Sequence, residues 1–418
     1  MCDTFYLPTP EVRFLGKNSD RNAAEAQSLR IVPNRAPGDS VRIGSRTLDL
    51  RDAGHSLAIS CPTWMAGAEM GVNGAGVAIG NEAVFSRFKA APDGILGMEF
   101  LRAALMSASS AEEALACLVD LTERYDQGGN GAYKGKLIYN NTYLIAGPDG
   151  AYVLETAGKR WAWKRAEGPA AISNAYSLTD DYKRVDAATR KAIAVVNERM
   201  ACLDEADAGR ISDKGSWKDY VQERFYSRFS AGETRRRAVA ALLEPAAEAG
   251  SRAAALEVLR AHAVSDPRLP GRLRNVCSHD GDIMGNPTTA SMLLEYPAAS
   301  ARHGGKAVLW FTGASYACAN LFKPILLSGG TFIPLWTAYD YAEGSEGGKA
   351  YWIARRAATR RVWRNPRAAE ELSAELVEAQ QTIFDLVDAV PAAASKALIA
   401  DAMAQIDSVV SSWDSRTI

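Results

Sequence analysis

The chain has 418 residues, 47% hydrophobic and 23% charged, which is globular composition with enough apolar material for a large core. Its 48 Lys plus Arg against 49 Asp plus Glu leave a net charge of −1, so there is no basic surplus to grip a phosphate backbone, and nucleic acid is excluded as an expected partner. The start, MCDTFYLPTPEVRF, has neither a charged leader nor an apolar segment, and no later stretch suits a membrane span; a cytoplasmic protein without a membrane partner is expected.

From residue 2 to about 85 the pattern is strand-like. Runs such as VRFLGKN, SLRIVP, SVRIGSRTLDL and HSLAISCP are separated by Gly, Pro and Asn turns. Helical period begins later, with one helix expected at 97–107. A second follows the capping box Ser110-Ala111-Glu112-Glu113, with Leu115, Leu118 and Thr122 on one face. Strands are predicted at Leu137–Ala146, Ala151–Glu155 and Arg160–Arg165, the first two joined through Gly147-Pro148-Asp149-Gly150. Residues 203–217 are polar and read as a surface connection. Strand character recurs at Ala307–Thr312 and around Gly330–Leu335. The last seventy residues are helical, with Pro391 separating a helix at about 367–388 from one carrying Ile399, Met403, Ile406 and Val410. This order suggests an α+β layered protein, either two or three domains or one large domain with a helical appendage.

No phosphate-binding loop is present: Gly71-Val72-Asn73-Gly74-Ala75-Gly76 lacks the spacing. The six cysteines (Cys2, Cys61, Cys117, Cys202, Cys277, Cys318) are scattered without CxxC spacing, which argues against a structural zinc site or a disulfide scaffold. His279, near Asp280 and Asp282, lacks the histidine spacing of a metal motif, so no metal and no organic cofactor are expected.

Cys2 is different. Removal of the initiator Met would leave a free α-amine beside a thiol, titrating near ~8 and ~8.5, so nucleophile and base come from one residue. If residues 3–7 and 12–17 pair, Lys17 and Asp20 return to the chain start, where a carboxylate could hold the ammonium and a cation could lower the thiol pKa. A solvated turn with an incidental ion pair is the bland alternative.

These residues carry a resemblance. Cys2, Gly16-Lys17-Asn18-Ser19-Asp20-Arg21, Trp64-Met65 with Gly67-Ala68-Glu69-Met70-Gly71, and Gly80-Asn81-Glu82-Ala83-Val84 resemble the secernin and dipeptidase A family of cysteine N-terminal-nucleophile (Ntn) hydrolases. Tyr139-Asn140-Asn141, Leu154-Glu155-Thr156-Ala157-Gly158, Ile172-Ser173-Asn174, Cys277-Ser278-His279 and Trp310-Phe311-Thr312-Gly313 ahead of Phe322-Lys323-Pro324 continue it in the same order. The resemblance implies a four-layer αββα sandwich over residues 2–340, with a helical extension, 341–418, packed on it.

It also implies roles. Asp20 would orient the Cys2 amine, and Lys17 stands where bile salt hydrolases and penicillin V acylases carry arginine. Asn81 would receive the oxyanion, and Asn174 would fix the amine or the intermediate. Arg228 resembles a distant arginine of that wider group, although Arg224, Arg235, Arg236 and Arg237 crowd the same region and read as a charged helix face. The implied substrate is a dipeptide or short N-acylated amino acid. An amidase or acyltransferase for non-peptide acyl amides, or a non-catalytic interaction protein on the same scaffold, stays open, as does homo-oligomer formation.

Overall fold

The computed structural model describes residues 2–36, 38–43, 46–49, 54–201, 215–225, 231–263, 274–279, 286–297, 306–337, 341, 349–362 and 366–417. Two antiparallel sheets lie at its centre. The first contains β1 (Cys2–Pro8), β2 (Val12–Asp20), β12 (Ala170–Ser173), β14 (Thr288–Pro297), β15 (Ala307–Thr312), β16 (Lys323–Ser328) and β17 (Thr331–Pro334), in the order β12-β1-β2-β14-β15-β16-β17. The second contains β3 (Gln27–Val32), β6 (Leu57–Pro62), β7 (Met70–Asn73), β8 (Ala78–Val84), β9 (Asn140–Gly147), β10 (Gly150–Ala157), β11 (Arg160–Arg165) and β13 (Arg184–Val185), in the order β13-β11-β10-β9-β8-β7-β6-β3. A separate hairpin pairs β4 (Ser40–Ile43) with β5 (Arg46–Asp49).

The layers follow from which face of each sheet is apolar. Between the sheets, Tyr6 and Leu15 of the first share a buried core with Met70, Ala78 and Leu144 of the second. Ile79, Tyr143, Ile145 and Leu154 point the other way, onto α1 (Gly97–Ser107) and α2 (Ala111–Arg124), and form a second core there. The outer face of the first sheet is covered by α5 (Gly232–Ala249) and α6 (Arg252–Arg260), while α3 (Ala187–Ala201) and α4 (Trp217–Val221) lie earlier in the chain. Helix, sheet, sheet, helix is the four-layer α+β arrangement expected.

Local chemistry agrees with these elements. Ser110 Oγ accepts from the Glu113 N–H at 3.1 Å, and Glu113 reaches back to the Ser109 N–H at 2.7 Å. Asp149 adds a second cap through the Ala111 N–H at 2.8 Å. In the β9–β10 hairpin Gly147 pairs with Gly150, so Pro148 and Asp149 form the two-residue turn. Trp217, which the polar reading put on the surface, is instead completely buried and donates to Glu155 at 2.9 Å, beside Tyr176. The rest of that predicted connection, 203–214, lies outside the described residues.

Toward the C-terminus, α7 (Lys349–Val362), α8 (Pro366–Asp388) and α9 (Lys396–Thr417) pack on the same core. Trp352 Nε1 donates to the Thr289 carbonyl at 3.3 Å, and Gln380 Oε1 accepts from the Phe322 N–H at 2.8 Å. Among the described residues, no helix is long and apolar enough to cross a membrane.

Candidate active site

The hairpin of β1 and β2 builds the site. Its register pairs Cys2 with Ser19 and Thr4 with Lys17, bringing the charged cluster back to the chain start as the sequence spacing predicted. Strand alternation then sorts that cluster onto two faces. Thr4 and Lys17 turn toward the second sheet, where both bond Glu82. Asp3, Asn18 and Asp20 turn toward the helices: Asn18 Nδ2 donates to the carbonyls of Leu259 at 2.8 Å and Val276 at 2.9 Å, and Asp3 and Asp20 face Arg235. Lys17 and Asp20 therefore act on Cys2 from opposite sides.

Cys2 lies where these layers meet a cleft of about 320 Å³, lined also by Asp20, Arg21, Glu69, Asn81, Tyr139 and Asn174. Its backbone nitrogen donates to Asn174 Oδ1 at 2.6 Å, while Asn174 Nδ2 donates to the Ala83 carbonyl at 2.8 Å, which fixes the amide orientation. The thiol sulfur accepts from the Asp20 N–H at 3.4 Å and has Glu69 Oε2 at 4.0 Å. Burial raises the thiol pKa; Lys17 pulls it back down, and Glu69 and Asp20 add to the rise.

Arg235, wholly buried on α5, ties the amine side together. It donates to Asp20 Oδ2 at 3.0 Å, to Asn174 Oδ1 at 2.7 Å, to the Cys2 carbonyl at 3.1 Å and to Ser173 Oγ at 3.1 Å, and Asp3 lies at 3.7 Å. Reading residues 235–237 as a charged helix face holds for Arg236 and Arg237, which pair with Glu233 at 3.0 and 2.8 Å, and fails for Arg235. A signal was available: Gly232, Arg235, Val239, Leu243 and Ala246 are the buried positions of α5, stepping three, four, four and three. The helix comes close because Gly232 carries no side chain; a Cβ there would sit 2.5 Å from the Asn174 backbone. Arg228 lies outside the described residues, as do Asp280 and Asp282.

Asp20 also accepts from Thr288 Oγ1 at 2.6 Å, and its pKa rises to about 6 because burial outweighs Arg235 and Thr288. Lys17, fully buried, donates to the Asn81 carbonyl at 2.7 Å and to Glu82 at 3.0 Å. Burial alone would lower its pKa, but Cys2, Glu82 and Glu69 outweigh that and raise it, so the ammonium stays charged. Burial moves Glu82 the other way, up to about 7, against the pull of Lys17 and Thr4. Gly80 is required at this crossing: a Cβ would meet Thr4 at 2.6 Å and Lys17 at 2.8 Å.

Asn81 is held by a relay of amides. Gln127 Nε2 donates to the Gly158 carbonyl, so its Oε1 accepts from Asn141 Nδ2 at 3.2 Å, and Asn141 Oδ1 in turn accepts from Asn81 Nδ2 at 3.0 Å. One Nδ2 hydrogen of Asn81 is used in this way, and the second can serve another acceptor. The far wall comes from the segment between α2 and β9. Asn130 Oδ1 accepts from the N–H groups of Ala132 at 3.1 Å and Leu137 at 2.9 Å, fastening a turn that presents Tyr133, Lys134 and Lys136. Arg21 donates to the Gly131 carbonyl of this segment at 2.7 Å and pairs with both Glu69 and Glu25, the latter at 2.7 Å. Arg21, Glu69 and Tyr139 lay within the segments carrying the resemblance, yet spacing assigned them no role.

The structure thus brings together Cys2, Lys17, Asp20, Asn81 and Asn174, and adds Arg235. Away from the cleft it also gathers Cys277 and Cys318 with His262 and His279. The absence of CxxC spacing, which argued against a structural zinc site, does not keep Cys277 and Cys318 apart, because the fold unites positions that are distant in the chain.

No family model matches the chain. Among solved structures it is similar to two variants of the conjugated bile acid hydrolase of Clostridium perfringens, each at 13% identity and a TM-score of 0.45. The similarity covers 78% and 82% of this chain and 92% and 98% of those chains.

Proposed function

We propose that the protein is a cysteine amide-bond hydrolase of the Ntn type, with Cys2 exposed by removal of Met1. The observation that carries this reading is the setting of Cys2. Its nitrogen is 2.6 Å from Asn174 Oδ1 and its sulfur lines a cleft shared with Asp20 and Asn81. A cysteine placed only for packing would need none of these polar partners.

In the proposed reaction the α-amine of Cys2 takes the thiol proton, and the thiolate attacks the carbonyl carbon of an amide. Asn81 Nδ2 receives the developing oxyanion, a contribution worth ~3–4 kcal/mol for a single donor. Asn174, with Asp20 behind it through Arg235, holds the resulting ammonium. That ammonium protonates the leaving nitrogen as the C–N bond breaks, leaving a thioester on Cys2. Water then adds to the thioester, the amine accepts its proton, and carboxylic acid leaves as the thiol is restored.

The cleft is at the small end of ligand pockets, which run from ~300 to ~1,000 Å³. Arg21, Lys134 and Lys136 line it together with Glu25 and Glu69, so charges of both signs are available to a zwitterion. A dipeptide therefore fits best, in accord with the secernin and dipeptidase A resemblance. The test begins with intact mass, expected to show Met1 absent, and continues with amine release from a panel of dipeptides and N-acyl amides. Cys2→Ala should abolish release while leaving the circular dichroism unchanged. Turnover of acyl amides without dipeptides would shift the substrate to the bile salt hydrolase or penicillin V acylase type, and activity retained in Cys2→Ala would overturn the proposal. A retained Met1 with an inert thiol would instead favour an interaction protein.

A further inference from the structure

His262 follows the end of α6, Cys277 and His279 lie on the segment leading toward β14, and Cys318 sits in the 3-10 turn Ala317–Ala319 between β15 and β16. Their four donor atoms all lie within 4.8 Å of one another. His279 Nε2 is the hub, 3.1 Å from His262 Nε2, 3.2 Å from Cys318 Sγ and 3.7 Å from Cys277 Sγ. Cys277 and His279 are buried, and His262 and Cys318 half-buried.

An imidazole nitrogen has one in-plane bonding direction, either an N–H or a lone pair. Three close neighbours around a single Nε2 are more than one hydrogen bond can satisfy. A central cation satisfies all four groups at once. With Zn–N of ~2.05 Å and Zn–S of ~2.3 Å, a tetrahedron places N and N ~3.3 Å apart and N and S ~3.6 Å apart. The observed 3.1, 3.2 and 3.7 Å fall within a few tenths of an ångström of those edges.

We propose that His262, Cys277, His279 and Cys318 bind a structural zinc ion, independent of the catalytic cleft. Two thiolates and two neutral imidazoles select a borderline-soft ion that accepts tetrahedral geometry, and four protein ligands leave no position for substrate. Binding displaces both thiol protons to solvent, and the resulting centre is neutral, which suits its burial. Tyr316 already fixes the His279 ring, stacked at 4.1 Å with 4° between planes. The ion would fasten together the end of α6, the turn after β15 and the segment that carries Cys277 and His279. In that segment the Ser278 N–H donates to Thr288 Oγ1 of β14 at 2.9 Å, and Thr288 Oγ1 donates to Asp20 at 2.6 Å.

The test is metal content, a readout that does not depend on whether Cys2 hydrolyses anything. Protein purified under reducing conditions without chelator should contain one zinc per chain by elemental analysis, with native mass raised by about 63 Da for one zinc less two protons. Cobalt substitution should give thiolate charge-transfer bands and the visible bands of a tetrahedral ion. Cys318→Ser and Cys277→Ser should each lower zinc occupancy at least tenfold at limiting metal, and either variant that stays folded by circular dichroism suffices. Reduced, folded wild-type protein that takes up neither zinc nor cobalt would overturn the proposal. So would stoichiometric zinc in the folded double variant, or a Cys277–Cys318 disulfide in protein isolated under reducing conditions.

Discussion

Arg235 offers the sharpest perturbation, since it joins Asp3 and Asp20 to the residues that hold the Cys2 backbone. Replacing it with Met keeps the volume and apolar stem but leaves Asp3 and Asp20 buried without their cation, and strips a donor from Asn174 Oδ1, Ser173 Oγ and the Cys2 carbonyl. Breaking one buried pair costs ~3–5 kcal/mol. The second acid adds less than that again, because a stranded carboxyl can take up a proton. Arg235→Met should therefore lose roughly 4–6 kcal/mol of stability at neutral pH, read as the urea midpoint.

The catalytic consequence has a definite sign. Asp20 titrates at about 6, so its carboxylate is present above that pH and lost as pH falls through it. A positive neighbour depresses a carboxyl by ~1–3 units, so removing Arg235 moves the Asp20 transition upward by about that much. The acid limb of kcat/KM should shift toward neutral pH in Arg235→Met. In Arg235→Lys, which retains charge but not the planar fork, the shift should be smaller and the stability loss partial. Arg237→Ala, at an exposed position on the same helix, should leave both measurements unchanged. A folded Arg235→Lys or Arg235→Met protein with an unmoved acid limb would refute the argument that this guanidinium sets the Asp20 charge.

Three further outcomes follow from the same geometry. Asn81→Ala should lower kcat by ~10²–10³ with little change in KM, because the donor is needed mainly as the oxyanion develops; an equal loss confined to KM would assign Asn81 to substrate binding. Lys17 is the largest influence lowering the Cys2 thiol pKa, so Lys17→Met should move the pH profile of Cys2 alkylation to higher pH, and an unchanged profile would remove Lys17 from the site's electrostatics. Lys323, buried against Trp336 and Tyr351, has its pKa lowered by burial to about 7 against 10.5 unfolded. Folding then opposes a proton that the unfolded chain holds, and this cost grows as pH falls from about 10.5 to about 7. Lys323→Met should raise stability by roughly 3–4 kcal/mol at pH 7, after ~1 kcal/mol is lost with the Tyr351 hydrogen bond, and should lower it by about 1 kcal/mol above pH 10.5, where only that loss remains; equal effects at both pH values would contradict the shift.

What was legible in the chain was whatever is encoded locally. Short strand-like runs bounded by turn residues suggested β1 and β2, and Ser110 with Glu113 placed the start of α2. Pairing of β1 with β2 was enough to return residues 17–20 to Cys2. Spacing alone did not show that Lys17 and Asp20 leave opposite faces of one strand, although alternation dictates it once both lie in β2. Arg235 was hidden differently, since its neighbours Arg236 and Arg237 are solvent-side residues and only the phase of α5 tells them apart. The hardest features were those whose members are far apart in the chain. Gln127 reaches Asn81 only through Asn141, and His262 meets Cys318 only after α6, β14 and β15 are stacked. Motif spacing detects ligands carried on one turn or hairpin. Sites assembled across layers have no characteristic spacing, because the sheet order that unites them is set by the core, and side chains at the site contribute little to that choice. The same logic explains why Cys2 could be singled out from the sequence: the base proposed for it belongs to the same residue, so that part of the proposed chemistry required no long-range contact.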